Sequence, residues 1–408
     1  MIKSVSRTTL EAIAQFFRLE SAGGLLLVAA ALLAVVVANS PLAPFYDAAL
    51  TTRLTITLGG YGLDKPILLW VNDGLMAVFF LLVGLELKRE ILEGQLSSAD
   101  QVVLPALAAL GGLAVPALFY WGLNHGGGQA LNGWAIPTAT DIAFALAVLS
   151  LLGKRVPLSL KVFLTTIAIV DDLAAILIIA VFYSGDLSLA ALLGAGFGVV
   201  ILALLNRFRV QRLAAYILVG IVTWFCVLKS GVHATLAGVA VAAFIPLRAR
   251  DQESPARHLE HTLHPWVAFA ILPLFAFANA GVSLHGVGAN LLTGGVSLGI
   301  VLGLFLGKQL GVFGMTVMAT GLGLARRPEG TTLGQLYAVS VVCGVGFTMS
   351  LFIGSLAFEH GDFALDAAVK VGVTTGSLLS AGLGLLLLHL TLPKTPVTQA
   401  ASSQLDDE

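Results

Sequence analysis

Long apolar runs separated by short polar connections fill almost the whole chain. A bilayer crossing takes about 20 apolar residues. Twelve stretches qualify: 21–39, 66–87, 103–122, 131–152, 158–183, 187–206, 211–229, 232–247, 262–283, 294–319, 334–357 and 365–392. Ahead of the first, Leu10, Ile13 and Phe17 fall on one helical face, which predicts an interfacial amphipathic helix over 8–19, within a segment 1–20. Between the first two runs, Arg53–Leu63 alternates apolar and polar residues around Gly59-Gly60, the signal of a β-hairpin. A lone hairpin is marginal in water, so it is expected to pair with something, self-association being one option. The tail, 393–408, is polar and reads as disordered. The organisation is a single all-α polytopic membrane domain over 21–392 with a small hairpin on one face.

Composition agrees. Apolar residues make up 57% and charged residues 11%, against about 45–50% and 25% in soluble domains. Mean hydropathy is +0.94. A net charge of -1 leaves no basic footprint for nucleic acid. Cys226 and Cys343 lie in apolar runs and read as buried thiols. The N-terminus does not read as a cleaved signal, because Glu11 and Glu20 interrupt the charged part and many similar apolar runs follow. With the N-terminus placed in the cytoplasm, sixteen of the 22 basic residues fall on cytoplasmic connections, among them Lys88, Arg89, Lys154, Arg155, Arg207, Arg326 and Lys394. An even number of crossings with both termini inside gives this asymmetry; eleven would spoil it.

The informative residues are the charges at the wrong depth. Asp171 falls at the midpoint of 158–183 with Asp172 beside it, Asp141 near the middle of 131–152, Lys308 near the middle of 294–319, and Asp73 a few turns into 66–87. Each costs roughly 2.5–3.5 kcal/mol on insertion scales and is expected to face a partner or a water-filled cavity. Asp73 can also be read as half of a structural ion pair. Two adjacent carboxylates repel and make poor glue, but they take up protons and offer hard oxygen ligands to a small cation. One pair can thus hold either H⁺ or Na⁺. A buried Lys308 ammonium needs a partner, and Asp171 is the expected one. The glycines at 299, 303, 307 and 311 form a four-residue stripe for close helix packing.

Two of the runs contain helix breakers, Ala135–Asp141 around Pro137 and Cys343–Ser350 around Gly344 and Gly346. Singly, each is an ordinary kink. Placed about half a chain apart, they point to an ion site at the bilayer midplane.

At these residues the chain resembles the NhaA family of Na⁺/H⁺ antiporters, over about 15–392. The matching stretches are 16–24, Phe79–Glu90, Pro137–Phe144, Ala168–Leu173, Ser230–Gly238 and Leu272–Gly281. The resemblance implies inverted-topology repeats with the two broken helices crossing at mid-membrane; the family is itself the general example of that architecture. It implies that Asp171 and Asp172 bind the ion, with Asp172 essential. Thr140 and Asp141 would sit at the crossing, Asp141 would compensate the helix ends, and Lys308 would pair with Asp171. It further implies electrogenic exchange of two H⁺ per Na⁺, carriage of Li⁺, activation at alkaline pH, no cofactor, a bacterial inner membrane and a homodimer formed through the outer hairpin. Its pH-responsive cluster falls here on Glu86, Glu90, Glu260 and His261. By themselves, Glu86, Arg89, Glu90 and Glu93 equally make ordinary helix-end pairs. His258 and His264 titrate in the same range as His261, and His233 reads as a core histidine.

Three rivals make different demands. A channel commonly lines its pore with rings from several subunits. An intramembrane aspartyl protease needs its two acids on separate helices, whereas consecutive residues leave a helix about 100° apart. A Na⁺-coupled symporter needs a roomy solute pocket.

Overall fold

The computed structural model describes residues 7–58, 61–94, 99–247, 254–283, 291, 293–358 and 363–393. The hairpin tip at 59–60 and the tail from 394 lie outside them. Helix α1 (Arg7–Ala38) is continuous, so the segment 8–19 and the first apolar run form one element. Gly23 and Gly24 do not break it because they are packing positions. A Cβ on Gly23 would lie 2.9 Å from Ala268 Cβ, and one on Gly24 2.5 Å from Ala147 Cβ. Helix α2 (Ala43–Thr51) turns off by 113°. Strands β1 (Arg53–Leu58) and β2 (Tyr61–Pro66) then pair antiparallel, Arg53 opposite Pro66 and Leu58 opposite Tyr61. The hairpin is three residues longer than its alternation suggested, and Pro66, which has no N–H to give a ladder, closes it at the end.

Helices α3 (Ile67–Leu92) and α4 (Ala99–Asn124) follow. Next comes a broken pair, α5 (Gln129–Thr138, wound as a tight 3₁₀ turn) and α6 (Ile142–Ser150), bent by 41°. Helices α7 (Leu158–Phe182), α8 (Leu189–Arg207) and α9 (Leu213–Lys229) are regular. Helix α10 (Leu236–Phe244) covers only the middle of the run 232–247. A turn at Gly231 with φ +84° precedes it and Pro246 follows it. Helices α11 (Pro255–Ala280) and α12 (Gly295–Gly321) come before a second broken pair, α13 (Leu333–Val342) and α14 (Phe347–Ala357), bent by 42°. Helix α15 (Phe363–Thr391) ends the described fold.

Among the described residues, seven helices are long and apolar enough to cross a membrane, or up to ten if each bent pair is one span. Their apolar surface is two-sided. Leu193 and Phe197 of α8 and Leu218, Ile221 and Val222 of α9 are exposed, as expected of helices whose outer face meets lipid. The inner faces form one large core that includes Phe80, Ile136, Leu164, Phe275, Ile300 and Phe352. The glycine stripe of α12 packs as the sequence suggested. A Cβ on Gly303 would meet Pro137, one on Gly307 would lie 2.7 Å from Pro116 Cα, and one on Gly311 would strike the Gly111 carbonyl. These contacts bring α12 against α4 and the break of the first pair, and so set the depth of Lys308.

Candidate ion site

Breaking a helix inside the membrane frees amides on one side of the break and carbonyls on the other. Here the two breaks cross and largely satisfy each other. The Asp141 amide donates to the Val345 carbonyl (2.7 Å). The Asp141 carboxylate accepts from the Phe144 amide (3.0 Å) at the start of α6, and from the Thr348 amide (2.9 Å) and hydroxyl (2.5 Å) at the start of α14. One buried anion thus caps two helix N-termini, where the backbone dipoles favour negative charge. On the carbonyl side, the Thr140 hydroxyl lies 2.9 Å from the Cys343 carbonyl, and the Ser350 hydroxyl donates to Ile136 O (2.7 Å).

Helix α7 brings the acid pair to this crossing. Consecutive positions aim the two side chains differently. Asp171 turns toward α12 and the first break: Lys308 Nζ donates to its Oδ2 (2.6 Å), and Thr140 Oγ1 lies 2.7 Å from the same oxygen. Both members of the ion pair are fully buried. Asp172, 2% exposed, instead lines a narrow cavity of about 60 Å³ shared with Glu86, Asp141, His264, Thr348 and apolar residues of α3 and α11. One oxygen of each acid, Asp171 Oδ1 and Asp172 Oδ1, is buried without a hydrogen-bond partner. Buried carboxylate oxygens seldom go unsatisfied. Two of them on adjacent residues, one beside a cavity, form a place where a small cation or a proton would supply what the protein withholds.

Three residues past Glu86, Arg89 joins α3 to α11. Its Nε donates to Glu260 (2.9 Å) and its NH1 lies 2.7 Å from Glu90. Arg257 pairs with Glu93 close by. Glu86 lies on the cavity wall. His261, next to Glu260 on α11, is exposed, and no described ion pair includes it. Asp73 lies elsewhere: it pairs with Lys65 at the base of the hairpin (2.6 Å), with His233 Nε2 at 3.8 Å. That is a tie between elements, the structural reading of this acid.

Sequence reasoning missed two features and left the choice among three histidines open. Thr348 supplies two of Asp141's hydrogen bonds, yet a hydroxyl in an apolar run carries no signal of its own. Lys308 is flanked by π-helical turns, Gly303–Gly307 and Gln309–Phe313, a local widening that is frequent at functional sites. His264, four residues past Glu260, lines the cavity, whereas His261 does not.

A helical membrane domain with two crossed, broken helices and a buried acid pair at the crossing defines a transporter rather than an enzyme. The model of the Na⁺/H⁺ antiporter 1 family matches residues 14–388, and the chain belongs to that family. It is 58% identical over 371 residues to the Na(+)/H(+) antiporter NhaA of Pseudomonas fluorescens, covering 91% of this chain and 94% of that one. It is 57% identical over 398 residues to that of Rhodospirillum rubrum, covering 96% and 100%, and 55% identical over 384 residues to Na(+)/H(+) antiporter NhaA 1 of Pseudomonas putida, covering 94% and 97%.

Proposed function

We propose that the chain exchanges cytoplasmic Na⁺, or Li⁺, for external H⁺, and that Asp171 and Asp172 bind the two cargoes in turn. The observation that carries this reading is the pair of orphaned buried oxygens, Asp171 Oδ1 and Asp172 Oδ1, with the cavity reaching Asp172. A protonated carboxyl has lost the charge that attracts Na⁺, and a carboxylate holding Na⁺ resists a proton. The cargoes therefore compete, and neither crosses in the other's company. Two acids offer two proton sites against one cation, which supports electrogenic two-for-one exchange. Asp141 and Thr140 keep the crossed breaks intact while the load changes, and Lys308 answers the charge on Asp171.

The remaining parts of the reading follow from the same family. Each broken pair, the 17-residue helix α9 and the short helix α10 would count as one crossing apiece, giving twelve spans arranged as inverted repeats in a bacterial inner membrane. Both termini would be cytoplasmic, the hairpin would add a strand pairing across a homodimer, and Glu86, Glu90, Glu260 and His261 would adjust activity upward at alkaline pH. The Arg89 cluster, on the same helix as Glu86 of the cavity wall, would then lie toward the cytoplasm.

The test is Na⁺-induced collapse of a pH gradient in everted vesicles, read by fluorescence dequenching. Asp172→Asn, isosteric and neutral, is expected to abolish the signal at normal expression; a retained signal rejects the assignment. Imposing a membrane potential on wild-type vesicles is expected to change Na⁺ uptake, since each net charge moved is worth about 2.3 kcal/mol per 100 mV. Indifference to potential would mean one-for-one exchange.

A further inference from the structure

The turn Gly153–Arg155 joins α6, the second half of the first broken pair, to α7, which carries the acid pair. Its Arg155 reaches across to the end of α15, 234 positions away. Nε donates to the Pro393 carbonyl (3.0 Å), and NH2 donates to the carbonyls of His389 (3.1 Å) and Leu392 (3.2 Å). One cation thus satisfies the free carbonyls at a helix C-terminus, where the dipole favours it. The fourth contact is of another kind: Arg155 NH1 lies 3.2 Å from His389 Nδ1. A guanidinium has only donors. The contact therefore requires a lone pair on Nδ1, which only the neutral imidazole, with its proton on Nε2, provides. An imidazolium there has no lone pair and sets a second positive charge against Arg155.

We propose that Arg155 and His389 form a proton-sensitive latch that ties the helices carrying the acid pair to α15 while His389 is neutral and loosens when it is protonated. What α15 packs against makes the tie consequential. It contacts α13 and α14 of the second broken pair, and the stretch of α12 just before Lys308. Loosening its end frees the two groups of helices whose crossing holds Asp171 between Thr140 and Lys308. The facing elements offer little to compete for His389. The segments of α6, α11, α12 and α14 that contact α15 contain no ionisable side chain, and α13 contributes only Tyr337, whose hydroxyl donates to Gln309. Asp366 and Lys370 of α15 pair with each other at its opposite end. Arg326, Arg327 and Glu329 lie on the connection before α13, and no described ion pair joins them to His389.

The chemistry of the latch stands apart from the exchange reading; only its effect on pH dependence rests on it, so two measurements separate them. The first is amide hydrogen exchange of full-length protein in lipid nanodiscs at about pH 8.5 and about pH 6, the span over which an ordinary imidazole changes charge. After correction for the intrinsic rate, the amides of 153–156 and 389–392 are expected to open roughly threefold more at the lower pH, the scale of an exposed ionic contact. In His389→Gln, whose carbonyl accepts from Arg155 at any pH, that ratio is expected to fall to one. Equal protection at both values in the wild type overturns the latch. The second is the pH profile of Na⁺-driven exchange in vesicles. Its acid limb is expected to move about half a unit lower in His389→Gln, which is the threefold effect at tenfold per unit, and higher in His389→Arg. Coincident profiles, with the exchange difference present, would leave the latch without a role in regulation and overturn that half of the proposal. Absence of any transport in the wild type would instead overturn the function reading. Arg155→Gln serves as the second variant and is expected to remove the pH difference from the other side.

Discussion

Lys308→Met tests whether the buried ion pair organises the site. The substitution keeps most of the aliphatic stem against Gly112 and removes the ammonium. What it leaves is a carboxylate whose other neighbour is one hydroxyl. Breaking a buried pair by removing one partner typically costs about 3–5 kcal/mol. Solvent screening gives no reason to discount that range, because both side chains are fully buried. At about 2.1 cal/mol/K per residue, 408 residues give an unfolding entropy of roughly 0.9 kcal/mol/K. The expected drop in melting temperature is then about 3.5–6 °C. Asp171→Asn alone strands the ammonium and is expected to cost a similar amount. The double variant strands neither charge, and Asn still accepts from Thr140, so it should lose clearly less than the two singles together. Thermal unfolding in detergent, followed by intrinsic fluorescence on all four proteins, closes the cycle. Single effects that add within about 0.5 kcal/mol would mean that the two groups do not interact, and the role given to Lys308 would fall.

The glycine contacts predict opposite results on one helix. Gly311→Ala is expected to destabilise by about 1–3 kcal/mol through collision with the Gly111 carbonyl. Gly314→Ala, with nothing within 4 Å of its added Cβ, is expected to be neutral or stabilising by up to about 1 kcal/mol; equal effects would show that backbone approach does not set the packing of α12. Asp73→Asn is expected to lower the melting temperature by a degree or two and leave exchange in vesicles intact, because Asp73 ties Lys65 and His233 away from the acid pair. Loss of exchange at normal stability would place Asp73 in the transport route.

How much of this was legible in the sequence follows from cost. A charge at mid-membrane is expensive, so few are present and their partners can be guessed. The pairing of Lys308 with Asp171 and the place of Asp141 at a broken helix were read that way, and the geometry agrees. Breakers inside apolar runs were legible for the same reason, since Pro137 and Gly346 sit where a plain helix would have neither. Cheap features were not legible. Most hydroxyls in apolar helices satisfy themselves against their own helix, so nothing in the sequence marks Thr348, whose hydroxyl donates to Asp141 instead. An arginine near a helix end, like Arg155, is ordinary until a fold brings a distant C-terminus to it. The extent of α10 was misjudged because hydropathy continues through Ile245, where a proline one residue later stops the helix.

The two acids, adjacent in sequence, are not equivalent in space, and in the proposed exchange this would decide which one the cargo meets. Asp171 has one oxygen held by an ammonium and a hydroxyl and faces the packed interior. Asp172 has neither partner and faces the cavity. Under the proposed exchange, an ion arriving along that cavity would reach Asp172 first, an acid that no described ion pair includes. It would find Asp171 only after drawing on a carboxylate already engaged by Lys308. In that reading, Na⁺ held between them would weaken the pair that anchors α12 to α7, and departure of the ion would restore it. Occupancy would thereby be linked to how firmly the two crossed halves are joined, the connection that alternating access requires. A charge on Asp172 alone, with Asp171 left permanently paired, would bind the ion but give it no hold on the helices.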